Sequence, residues 1–163
     1  MKTLLLVRHA KSSWSDPTLI DKVRPLNKRG KRDVITMGQR LFNRGVKPAL
    51  IIASSAVRTT ITAQAIAKEI EYEQENILYD DKLYACEPEY ILETVQTCNN
   101  DLDYLMLVGH FPELNDFLFM FTHEIEHMPT CAMAELSFEV NDWAEIRQEN
   151  LAAVLFDYPK REV

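Results

Sequence analysis

The chain has 163 residues, 47% of them apolar, and a formal net charge of −7 from 25 acidic against 18 basic residues. That is enough apolar material for one domain with a core, while the acidic balance argues against a broad nucleic-acid footprint and against long-range attraction of anions. No stretch approaches the roughly 20 apolar residues that span a bilayer, and Cys86, Cys98 and Cys131 are scattered without CxxC spacing, so neither a membrane anchor nor a disulfide framework is expected and a reducing cytoplasm is the natural setting.

The first apolar run, Leu4 to Val7, is broken at once by Arg8 and His9. It reads as a first strand, not a signal peptide. A loop over 11–23 comes next, with Ser12, Ser13, Trp14, Ser15 and Asp16, long enough to cover a site. Val23-Arg24-Pro25-Leu26-Asn27 is an extended segment stiffened by its proline. The spacing predicts a helix over 28–44, with Val34, Met37 and Leu41 on one face, Asn27 as its cap and Gly45 as its end. Residues 50–53 form a second buried strand, and a helix over 55–70 carries Ala63, Ile66, Ala67 and Ile70. Pro88 opens a helix carrying Ile91, Leu92 and Val95. A third buried strand, 105–108, leads through Gly109-His110 to a helix over 112–121 bearing Leu114, Phe117, Leu118 and Phe121. The alternating stretch 135–140 suits an edge or half-exposed strand, and 152–156 a last apolar one. Strand–helix alternation of this kind, with no repeat or linker, predicts a single domain over 1–163 that is an α/β sandwich with a mostly parallel sheet and right-handed crossovers.

The residues just past the three buried strands carry the chemistry. Arg8-His9 stands after the first, Ser54-Ser55 and Arg58 after the second, Gly109-His110 after the third. Ligands of an open parallel sheet bind beyond the carboxyl ends of its strands. Any one of these residues alone is an ordinary charged or turn residue; together they predict a local cationic cup on an acidic protein. Arg24 reads either as a solvated loop arginine or as a third guanidinium folding over that cup. Guanidinium groups grip phosphate bidentately at every relevant pH, and helix N-termini add N–H donors. A neutral histidine there can attack phosphorus, while cations neutralise the spreading charge without magnesium. His123-Glu124-Ile125-Glu126-His127 places two histidines four apart. It lacks the HExxH order and reads as a surface feature, so no metal site is expected.

Leu-Val-Arg8-His9-Ala10 resembles the RHG signature of the histidine phosphatase superfamily, with alanine for glycine. Lys11-Ser12-Ser13-Trp14, Arg24-Pro25-Leu26-Asn27-Lys28-Arg29-Gly30, Ser54-Ser55-Ala56-Val57-Arg58-Thr59, Leu83-Tyr84 and Val108-Gly109-His110 are similar, in the same order, to its SixA-type phosphohistidine phosphatase branch. The resemblance implies a three-layer α/β/α sandwich of the phosphoglycerate-mutase-like kind. It also implies a cofactor-free, metal-independent phosphatase in which His9 accepts the phosphoryl group. Arg8, Arg24 and Arg58 would hold that group, and His110 would complete the pocket. Phe111 stands where a polar asparagine is frequent. A general acid is the weakest point. Glu87 lies in the expected region but equally suits a first-turn charge of the Pro88 helix, and Asp16 and Asp21 are weaker candidates. The expected substrate is a phosphorylated protein, above all one bearing phosphohistidine, or else a small phosphorylated molecule or a Ser/Thr phosphoester. A mutase, a non-catalytic phosphoprotein-binding module and a histidine metal site are the other readings. Intact His9 and His110 argue against the module, because binding needs only the arginines.

Overall fold

The computed structural model describes residues 1–124 and 127–162. Its spine is a six-stranded sheet of order β3-β2-β4-β1-β5-β6. The strands are β1 (Lys2–Arg8), β2 (Leu50–Ser54), β3 (Leu78–Asp80), β4 (Tyr104–Gly109), β5 (Met133–Phe138) and β6 (Leu151–Asp157). The first four in space are mutually parallel. β5 runs antiparallel to both of its neighbours, so the sheet is mostly parallel, as expected.

Side chains alternate across each central strand and divide the core in two. Leu4, Leu6, Ile52, Leu105 and Leu107 join Ile91 and Val95 of α3 (Pro88–Gln96) and Leu114, Phe117 and Phe121 of α4 (Glu113–Thr122). Leu5, Val7, Ile51, Met106 and Val108 join Val34, Met37 and Leu41 of α1 (Lys28–Asn43) and Ala63 and Ile66 of α2 (Val57–Glu69). Helices therefore cover both faces, giving three layers. Each fully buried leucine, isoleucine or valine contributes about 1.5–3 kcal/mol, which makes this double core the frame that fixes the strand ends.

Local signals set the helix limits. Asn27 Oδ1 accepts from Gly30 N at 2.8 Å and caps α1. Gly45, at φ 73°, ends it, with Gly45 N on Phe42 O at 2.9 Å and Val46 N on Leu41 O at 3.0 Å. Helix α2 starts at Val57, two residues later than the 55–70 expected. The serines that precede it are engaged elsewhere: Ser54 Oγ with His110, Ser55 Oγ with the Asp81 carboxylate. The 135–140 stretch forms no edge; β5 lies between β1 and β6, and the edges are β3 and β6. Its alternation reflects one-sided cover, not an open flank. β3, three residues long, gave too short a pattern to register. Among the described residues no helix is long and apolar enough to cross a membrane.

Candidate active site

The parallel register aligns Arg8 with Gly109 and Ala53 with Val108, so His9, Ser54 and His110 emerge side by side where the strands end. His9 is held by its backbone: its N–H reaches Gly109 O at 3.1 Å, and its carbonyl accepts from Cys131 N at 3.0 Å. Its Nδ1 lies 2.8 Å from Ala10 O. A carbonyl only accepts, so Nδ1 carries the hydrogen and Nε2 is left with a free lone pair. Burial pulls the His9 pKa down to about 4; Arg58, Arg8 and Arg24 add to this against the opposing Ala10 bond. The ring is neutral at pH 7.

The His110 ring lies 5.4 Å from that of His9, centroid to centroid. Its Nε2 is 2.9 Å from Ser54 Oγ, while its Nδ1 is buried with no hydrogen-bond partner. Burial, then the charges of His9 and Arg58, bring its pKa down to about 3. The three arginines surround the pair. Arg8 Nη1 donates to Met128 O at 2.7 Å, with Phe111 5.0 Å from its guanidinium carbon. Arg58, in the first turn of α2, donates from Nη1 to Asp21 O at 2.8 Å and from Nη2 to Asp21 Oδ2 at 2.9 Å. Arg24 donates from Nη2 to Asp21 Oδ1 at 2.9 Å and from Nη1 to Ser12 Oγ at 2.9 Å, and lies 3.5 Å over the Trp14 ring. The neck of the 11–27 loop is closed by Ser13 N on Pro25 O at 2.7 Å and Asn27 N on Lys11 O at 3.0 Å, so Arg24 folds inward. Buried polar groups are nearly always paired, yet Arg8 Nε and Arg58 Nε, like His110 Nδ1, are buried and unpaired. Unpaired donors next to a neutral imidazole fit an oxyanion.

The structure thus brings Arg8, His9, Arg24, Arg58 and His110 together. Glu87 is an exposed residue at the start of α3, with no side-chain bond to that helix. Asp16 is exposed and bonded to Thr18, and Asp21 is tied to the arginines, so neither offers a protonated carboxyl. Sequence reasoning missed Glu113. The first residue of α4, it is buried, and burial raises its carboxyl pKa although the Arg58 charge opposes this. In sequence it reads as an exposed dipole partner at a helix start, and nothing local reveals its burial. His123 ends α4 at φ 56° and the His127 ring meets that of Phe111 in a T-shaped contact, centroids 5.8 Å apart; residues 125 and 126 lie outside the described ones.

A model of the histidine phosphatase superfamily (branch 1) matches residues 4–85, the half of the chain that holds Arg8, His9, Arg24 and Arg58. The chain belongs to the histidine phosphatase superfamily. Within it, the likeness is to the SixA-type branch. The solved SixA structure of Nakamurella multipartitia, named for the phosphohistidine phosphatases, superposes with a TM-score of 0.81 at 27% identity, covering 98% of this chain and 97% of that one. The one from Agrobacterium tumefaciens gives 0.78 at 28% identity over 84% and 92%. An uncharacterized chloroplastic protein of Arabidopsis thaliana is 28% identical over 152 residues, 88% of this chain and 70% of its own. The mitochondrial serine/threonine-protein phosphatase Pgam5 of Drosophila ananassae is 36% identical, but over only 46% of this chain and 25% of its own length. Membership of the histidine phosphatase superfamily supports a phosphatase, on the phosphoglycerate-mutase-like α/β fold.

Proposed function

We propose that the protein hydrolyses protein phosphohistidine through a covalent phospho-His9 intermediate, without a metal ion, in the cytoplasm. One observation carries this reading: the neutral His9 ring presents Nε2 while its Nδ1–H is spent on Ala10 O, inside a ring of three arginines. Nε2 attacks phosphorus as the bond from phosphorus to the substrate nitrogen breaks. Water then attacks the phospho-His9 phosphorus, the bond to Nε2 breaks, and inorganic phosphate leaves. Arg8, Arg24, Arg58 and His110 hold the transferring group and supply the charge that a metal would otherwise bring.

Leaving-group chemistry favours the nitrogen–phosphorus bond. An alkoxide must take up a proton with a pKa near that of water, about 15.7, whereas an imidazole has a pKa of about 6.5 and departs neutral with the proton on its other nitrogen. Asp16 and Asp21 are held as carboxylates, and Glu87 is exposed. A second reading, a phosphatase for serine/threonine or small-molecule phosphoesters, draws on Glu113, whose raised pKa suits proton donation. The test is incubation with radiolabelled phosphohistidine protein, with trapping of acid-labile label on wild type and His9→Ala. The expected result is label and turnover in wild type alone, unchanged by chelator. Turnover in the variant, or dependence on added zinc, overturns the mechanism. Equal rates on phosphoserine peptides overturn the substrate preference.

A further inference from the structure

Asp21 has no assigned part in this chemistry, yet its carboxylate is tied to two of the three arginines of the cup. Its Oδ1 accepts from Arg24 Nε at 3.2 Å and Nη2 at 2.9 Å. Its Oδ2 accepts from Arg58 Nη2 at 2.9 Å and from the Tyr84 hydroxyl at 2.5 Å, and its backbone carbonyl takes Arg58 Nη1 at 2.8 Å. Both guanidiniums are buried, while the carboxylate is half exposed. One residue thus joins the 11–27 loop, the start of α2 and the turn after β3 across the mouth of the site.

We infer that Asp21 is a positioning residue, whose carboxylate orients Arg58 and Arg24 for the phosphoryl group and holds Tyr84 against His110. This rests on the reading of the cup as a phosphoryl site. The donor count supports it. A guanidinium has five N–H groups in a fixed fork. Asp21 takes one from each Nη of Arg58, which leaves the Nε edge without a partner. Three N–H groups, that of Nε among them, are left to meet an anion. Arg24 is held on both sides, its Nε and Nη2 by Asp21 and its Nη1 by Ser12, so these two residues fix the direction of its guanidinium. The Tyr84 and His110 rings make a T-shaped contact with centroids 5.4 Å apart, and the centre of the tyrosine ring lies 5.9 Å from the Arg58 guanidinium carbon. Asp21 therefore fixes two of the groups that line the cup without touching the reacting atoms.

The alternative is that the carboxylate competes with phosphate for the same arginines, and the two roles have opposite signs. If Asp21 positions, Asp21→Asn weakens binding, because the amide N–H₂ faces a donor on one side and the fork loses its alignment. If it competes, removing its charge tightens binding. The measurement is calorimetric titration with tungstate, a tetrahedral oxyanion, alongside kcat and KM. We expect Asp21→Asn and Asp21→Ala to raise the tungstate Kd and lower kcat/KM by roughly 10- to 100-fold. Asp21→Glu should recover part of both, and titrating well below each variant's melting point keeps a loss of stability from being read as a loss of grip. Tighter tungstate binding in Asp21→Asn, or affinity unchanged in Asp21→Ala, overturns the proposal. Repeating the titration in a His9→Ala background separates the two claims. Loss of catalysis with the Asp21 effect on tungstate retained speaks to the cup; a wild-type protein that takes no label on His9 fails the phosphatase reading alone.

Discussion

Acidification is a direct probe of the cup, because its two histidines leave their ordinary range in the same direction. An unperturbed imidazole of pKa about 6.5 would be only about one-tenth neutral at pH 5.5. His9, at about 4, stays almost wholly neutral there, and so does His110, at about 3. The free enzyme should therefore keep its nucleophile where an ordinary histidine has lost it. Proton uptake sets the sign for stability. Between about 6.5 and 4 the unfolded chain binds protons that the folded chain refuses, so stability falls as pH falls through that window. Moving His9 from 6.5 to about 4 corresponds to roughly 3 kcal/mol at the acid end. Heteronuclear NMR titration of the ring nitrogens reads both histidines, and thermal melts from pH 7 to pH 4 read the linkage. A titration midpoint near 6.5 for His9 would refute the reasoning, since it would mean that neither burial nor the arginines act on the ring. Bound tungstate should shift both midpoints upward by adding negative charge.

Other perturbations separate frame from site. In Gly30→Ala the new methyl would sit 2.2 Å from Lys11 O, so the backbone that leads to Ser12 must move. We expect a loss of about 1–3 kcal/mol, read as a melting point several degrees lower, with weaker tungstate binding because Ser12 anchors Arg24. Ser54→Ala removes the 2.9 Å partner of His110 Nε2, leaves that buried atom unpaired at a cost of about 1–3 kcal/mol, and should lower kcat/KM while His9 still takes label. Arg40→Ala cuts its bonds to Asp157, Tyr158, Pro159 and Arg161. It should cost about 2 kcal/mol of stability, measured by urea unfolding, with kcat/KM unchanged.

The legible part of the chain is the part that physics makes repetitive. Three continuous apolar runs could only be strands covered on both faces, and the residues after them had to share one edge, so Arg8, His9, Arg58 and His110 were readable as a set. Partners chosen by geometry across the mouth were not. Asp21 looked like a weak acid candidate because sequence does not show that two buried guanidiniums close on it. Glu113 looked solvated because its burial depends on how α4 docks. Ser54 and Ser55 were legible only as residues past the second strand, since sequence does not show that His110 and Asp81 claim their hydroxyls. For 135–140, read as an edge or half-exposed strand, the second alternative holds: β5 is partly exposed but lies between two strands, because alternation reports which face is covered, never which strand lies alongside.

The same geometry explains how a chain of net charge −7 keeps three guanidiniums at one point. Burying a charge is expensive unless it is paired and hydrogen-bonded. Arg8 is paired through Met128 O, Arg58 through the backbone and carboxylate of Asp21, and Arg24 through Asp21 and Ser12. One carboxylate thus serves two cations, leaving the cup a surplus of positive charge. The histidines complete the balance by staying neutral: a protonated His9 would add a fourth cation and remove the lone pair in the same step. Burial is the first cause of the imidazole's neutrality and the arginines deepen it, so a substitution that dilutes the arginines should raise the His9 pKa part of the way as it weakens the grip on phosphate.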